Sequence, residues 1–147
     1  MHKNITLLTI LLVVGLFGLT ARAKNSATTA AQDFHLHQAA DKIKHQQLAY
    51  AWGDLAYVVC KQPNHYIALQ QMLTLAPQIN KNQEMSVYFE KAIQQFPTDA
   101  ILHALYATFL SNTGDQLASQ KHFELALSLD PKLPNNYLPK IVLDSKK

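Results

Sequence analysis

The sequence predicts an all-α fold: an α-solenoid of about three helical hairpins followed by a C-terminal capping segment. Three observations predict it. From Gln32 onward apolar residues recur at spacings of three and four, and no alternating stretch of strand length interrupts them. Glycine is scarce, with only Gly53 and Gly114 beyond residue 18, so long glycine-rich loops are absent. Pro63, Pro97 and Pro131 are separated by 34 and 34 residues. Ahead of each proline the same two apolar positions recur, as Leu55 and Val58, Phe89 and Ala92, Phe123 and Ala126. A helical period of that length is the mark of stacked repeats.

The first residues read differently from the rest. Lys3 precedes an uncharged run over residues 5–20, which ends at Ala21-Arg22-Ala23. A basic start, a short apolar core and a small-x-small exit make a secretory signal peptide over residues 1–23. The run of 16 residues is short for a bilayer span, which needs about 20. The alternative is an uncleaved anchor in the inner membrane, the only membrane association this reading allows. Both place the domain outside the cytoplasm, in a bacterial periplasm or cell envelope. Residues 24–31 are small and polar, and read as a flexible leader.

Without residues 1–23 the chain keeps 11 basic and 10 acidic residues, near +1, and contains no arginine. Arginine is the preferred bidentate ligand of phosphate, so its absence argues against nucleic acid as a partner. Cys60 is the single cysteine. It can form no internal disulfide, and it reads as a small buried apolar residue.

The repeats divide as residues 32–65, 66–99 and 100–133. In the first, Leu36, Ala39, Ala40 and Ile43 give a weak stripe. Its second helix is strong, with Leu48, Ala51, Trp52, Leu55, Tyr57, Val58 and Val59. In the second, Asn64 is placed to cap a helix bearing Leu69, Met72 and Leu73, which Pro77 must end or kink. Met85, Phe89, Ala92 and Ile93 follow. In the third, Gly114 suits a left-handed turn. Leu117, Ala118, Phe123, Ala126 and Leu127 form the inner side of the last helix. Residues 134–147 carry Leu138, Ile141, Val142 and Leu143, and are expected to cap the exposed end.

The period, with a large residue, a small residue and then proline, resembles the tetratricopeptide repeat, most closely over residues 81–133. The stretch from Ala51 to Tyr57, then Pro63 to Leu69, is similar to segments of small exported bacterial proteins of that family. The resemblance implies a right-handed solenoid whose first helices line a concave, peptide-binding groove. It places there Leu36, Ala40, Ile43 and Lys44, then Ile67, Gln70, Thr74 and Gln78, then Ile101, Ala104, Thr108, Ser111 and Asn112. Members that clamp a C-terminal carboxylate carry several basic and amide residues in the groove. Here Leu36, Ala40, Thr74, Ile101 and Leu105 occupy those places, so an apolar helix or extended peptide of another protein fits better.

Other classes find less support. No phosphate loop, Gly-x-Ser-x-Gly or His-Glu-x-x-His occurs, the carboxylates are spread as surface and cap residues, and no cofactor is implied. The expectation is a protein that is not an enzyme. Of the histidines beyond the leader, no pair sits four apart on one helix. His35, His37 and His45 are the best metal candidates. Self-association through the exposed ends is the structural alternative.

Overall fold

A computed structural model describes residues 29–134 and Tyr137. The expected signal segment, most of the leader and most of the capping segment lie outside these residues. Those described are all-helical, with no strand among them. Helix α1 covers 29–44, so residues 29–31, read as leader, are already helical. It is followed by α2 (Leu48–Lys61), α3 (Tyr66–Leu75), a 3-10 turn (Ala76–Ile79), α4 (Asn82–Gln95), α5 (Ala100–Thr113) and α6 (Gln116–Leu129). No described helix is long and apolar enough to cross a membrane.

The 34-residue period is structural as well as sequential. Helices α2, α4 and α6 begin at Leu48, Asn82 and Gln116 and end at Lys61, Gln95 and Leu129. The turn before each contains one left-handed residue: Gln46 at φ 59°, Asn80 at φ 56° and Gly114 at φ 96°. Each turn is closed by the same backbone bond, from Gln47 N–H to the Lys42 carbonyl, Lys81 to Ala76 and Asp115 to Leu110. Such a bond spans five residues and satisfies a carbonyl that the helix end leaves free.

Capping repeats too. His65 accepts from Ala68 N–H through Nδ1, and Asp99 accepts from Leu102 N–H. The residue that caps α3 is thus His65, not Asn64. Asn64 instead donates to Asp99 Oδ2 at 3.2 Å, and Tyr66 donates to the same oxygen at 2.7 Å. One carboxylate therefore caps α5 and joins it to the start of α3. Pro77 ends α3 as expected, since its ring cannot follow a helical turn. The chain then continues as the 3-10 turn.

The second helices pack by equivalent residues. Ala51, Met85 and Ser119 are buried, as are Val58, Ala92 and Ala126. At the former position Ser119 can be buried because its hydroxyl donates to the Ala107 carbonyl at 2.8 Å. Trp52 donates from Nε1 to Glu84 Oε1 at 2.9 Å, joining α2 to α4. The Lys81 bond to Glu84 and that of Trp52 hold this carboxyl below its usual range, against the effect of burial. Helix α3 packs on both α2 and α5, α4 on α5, and α5 on α6.

Two expected core positions lie outside. Cys60 is exposed: the buried stripe of α2 runs Ala51, Trp52, Leu55, Val58, Val59, and Cys60 lies on its flank. Leu117 is 68% exposed, because α6 turns Ser119 and Ala126 inward. Two residues along a helix rotate the side chain by about 200°.

The close crossings give a direct test. Ala107 and Ala126 are 0% exposed, so Ala107→Leu or Ala126→Leu should overpack and cost about 1–3 kcal/mol by chemical denaturation. Unchanged stability in both would dissolve the register. At Gly114 an added Cβ meets nothing within 4 Å. The cost of Gly114→Ala is therefore backbone strain alone, about 1–2 kcal/mol, measurable in the same experiment.

Candidate functional site

A pocket of about 400 Å³ opens between the C-terminal half of α1 and that of α3. Its walls are Ala40, Ile43, Leu48 and Leu75, and its polar groups belong to Gln46, Gln71, Thr74 and Gln78. Aliphatic side chains form one part because both helices turn a half-buried stripe toward α2. Ala39 is buried, and Leu36 and Ile43 pack against the core. Thr74 donates its hydroxyl to the Gln70 carbonyl, and Gln78 donates to the Thr74 carbonyl at 2.9 Å. These polar groups are tied to the helix end.

Gln71 differs from the other pocket amides. Its Oε1 is buried and has no hydrogen-bond partner. A carbonyl oxygen removed from water without a donor costs about 1–3 kcal/mol. The buried Gln71 Oε1 thus lies beneath the pocket wall, and no charged residue lines the pocket.

The structure gathers part of the expected groove. Ala40, Ile43, Thr74 and Gln78 line the pocket. Leu36 and Gln70 are half-buried nearby in sequence, Lys44 is exposed, and Ile67 is 57% exposed at the start of α3. On α5 the expectation divides. Thr108 and Ser111 are half-buried and Asn112 is exposed, but Ala104 is 0% exposed and cannot line an open groove. It packs with Ala126 and Leu133, while Ile101 and Tyr137 close over the same cluster. The chain beyond α6 therefore covers the α5 end of the expected face. Tyr137 also lies edge-on to Tyr66, with ring centroids 6.2 Å apart. Burial, then the bond to Asp99, pushes the Tyr66 hydroxyl up to about 12.

His35 and His45, two of the three metal candidates, are engaged separately. His35 Nδ1 bonds Asp54 Oδ1 at 2.8 Å and the ring packs on Tyr57, 4.1 Å between centroids. Lys42 bonds the other oxygen of Asp54. Burial would raise the Asp54 carboxyl, but the Lys42 and His35 bonds outweigh it and hold it low. His45 bonds the Asp41 carbonyl instead. Among the described residues no three His, Cys, Asp or Glu side chains gather around a possible ion.

Sequence spacing missed a pair that the third hairpin creates. His103 and His122 are 19 apart in the chain, yet their Nδ1 atoms lie 2.9 Å from each other. His103 Nε2 lies 2.9 Å from the Pro97 carbonyl and must donate to it. The neutral His103 ring then accepts at Nδ1 from His122 Nδ1–H. The readable signal was their placement on the two arms of the Gly114 turn.

No protein-family model matches the chain, and no curated protein matches it significantly.

His122 should make stability depend on pH. Burial, then the neighbouring His103, lowers the His122 pKa. Below the ordinary histidine range, near 6.5, the unfolded chain therefore binds protons that the folded chain resists. Stability is intact above that range and should fall as pH drops through it. Denaturant titrations at several pH values between 8 and about 5 check this. His122→Gln should flatten the dependence in that window.

Proposed function

We propose that this chain is a non-catalytic protein-interaction module. In this reading it is a right-handed solenoid of tetratricopeptide type, exported to the periplasm or cell envelope. Its first helices hold a peptide or helix of another envelope protein. The observation that carries the reading is the open pocket between α1 and α3, set within hairpins whose left-handed turns recur every 34 residues. Repeats in fixed phase turn equivalent helices toward one side, and a surface of that kind suits extended partners. The uncharged lining favours an apolar anchor side chain, and amide groups beside it favour a peptide backbone over a charged ligand. Export rests on the pattern of residues 1–23.

A second reading has its own observation. Leu117, Leu125 and Leu129 are exposed along α6, at 68%, 39% and 37%. Such a stripe on a terminal helix favours self-association through the end of the stack. Sedimentation over a hundredfold range of concentration, roughly 1–100 μM, separates the two, because mass action drives only the self-associating form.

The groove reading is tested by in-cell crosslinking of tagged protein followed by mass spectrometry. Ala40 and Thr74 are exposed on the pocket rim, so Ala40→Asp with Thr74→Asp should leave the circular dichroism unchanged. A specific partner captured by the parent and lost in this variant is the expected result. Equal capture by both would remove the groove from the function.

A further inference from the structure

We propose that the outer face of α6 is the docking surface for a second copy of this chain, the two α6 helices crossing antiparallel about a twofold axis. This deepens the self-association reading and rests on it. Leu117, Lys121, Leu125 and Leu129 are all exposed. They follow one another at intervals of four, so they form one continuous ridge. The ridge lies away from the side chains of α6 that are already engaged. Ser119 bonds the Ala107 carbonyl, His122 bonds His103, and Ala126 packs with Ala104, so that side faces α5. Phe123 and Leu127 pack against the cluster that Leu133 and Tyr137 join. Each is two residues from Leu125, a rotation of about 200°. Leu133 and Tyr137 therefore rest on a different face of the helix.

The other repeats show that a hairpin does not need these leucines. One period earlier, α4 carries Gln83, Val87, Lys91 and Gln95 at the equivalent positions, all exposed. Helix α2 carries Ala49, Gly53, Tyr57 and Lys61 there. Leucine thus stands in the last repeat where α4 keeps an amide, a lysine and a second amide. A leucine left in water contributes no burial to the fold, and a row of them on one ridge suits a partner surface.

The order along the ridge fits the same ridge run backwards. Paired about a centre at residue 123, Leu117 meets the partner's Leu129, and Leu125 meets the partner's Lys121. Each contact then occurs twice, as a twofold demands. Ridges spaced by four interdigitate when two helices cross at about 50°. Charge sets the polarity. Glu124, which accepts from Gln120 through Oε1, is exposed on the flank nearest Lys121. Antiparallel pairing brings it beside the partner's Lys121, whose stem covers Leu125 while its ammonium reaches the carboxylate. A parallel pair would instead set lysine against lysine and glutamate against glutamate, and like charges face to face are costly.

The test is sedimentation of the purified full-length protein over roughly 1–100 μM, for the parent and three variants whose circular dichroism should match it. Leu117 is 68% exposed, so Leu117→Glu leaves the fold intact and should weaken the dimer roughly tenfold or more, because a twofold repeats the change. Lys121→Glu alone and Glu124→Lys alone should each weaken it roughly tenfold, since each sets like charges face to face. An equimolar mixture of these two variants should recover parental association as mixed dimers, both like-charge contacts having become attractive. A mixture no stronger than its components overturns the antiparallel pairing. Dimers indifferent to Leu117→Glu overturn the α6 surface and leave self-association standing elsewhere on the molecule. Open-ended assembly also overturns the proposal, because a twofold closes at two copies. A parent that stays monomeric throughout removes the self-association reading and this proposal together.

Discussion

Each time the chain completes the first helix of a hairpin it must reverse within two or three residues. It does so through a single left-handed residue, at Gln46, Asn80 and Gly114. That reversal fixes the rest. The closing bond from the following N–H to a carbonyl five residues back sets where the second helix starts, and hence which of its faces meets the first. Because the three reversals are in phase, Ala51, Met85 and Ser119 arrive at equivalent buried positions despite their different sizes. Met85 fits as a flexible filler, and Ser119 fits because its hydroxyl finds the Ala107 carbonyl. The backbone thus tolerates a side-chain variety that would otherwise blur the repeat. Only Gly114 makes the turn without strain. Gln46 adopts it with an ordinary side chain, and local packing must hold it there.

Between hairpins a different device acts. The Asp99 carboxylate caps α5 with one oxygen and takes bonds from Tyr66 and Asn64 with the other. The start of α3 is thereby tied to the start of α5. At the opposite side Trp52 and Glu84 tie α2 to α4. Both links are part-buried, where charge-assisted bonds are stronger than at an exposed surface. Tyr66 also forms part of the seat on which Tyr137 rests, so the joint between hairpins and the docking of the C-terminal chain share one residue.

The helices and their phase were legible in the sequence because they depend on local rules. Proline ends helices, glycine reverses them, and a stripe at helical spacing finds the core. Pro77 and Gly114 behave as those rules require. What escaped was nonlocal or depended on rotation by a residue or two. Leu117 and Cys60 are apolar and sit in helices, but each lies just off the buried stripe. His65 outcompeted Asn64 as a cap because Asn64 was needed by Asp99. His103 and His122 meet only through the hairpin, and no spacing rule for one helix could pair them. Four of the residues expected to share a groove, Ala40, Ile43, Thr74 and Gln78, line one pocket. Ala104, expected among them, is buried instead, because Leu133 and Tyr137 return to pack against its cluster.

That return bears on how the described helices bury their apolar faces. Here α5 is the most buried helix, with Leu102, His103, Ala104, Leu105, Ala107, Phe109 and Leu110 all withdrawn from water. By contrast α6 buries only Ser119 and Ala126. Helix α6 therefore shields α5, and Leu133 and Tyr137 join Ala126 in covering Ala104. At the first end α1 fully buries Ala39 and holds to α2 through the His35 and Lys42 bonds to Asp54. Polar ties replace apolar area where the stripe is weak. The same weakness leaves room beside α1 for the pocket. A stronger first stripe would have filled that space with the chain's own side chains, so the feature that lowers the stability of this end is also the one that leaves the pocket open.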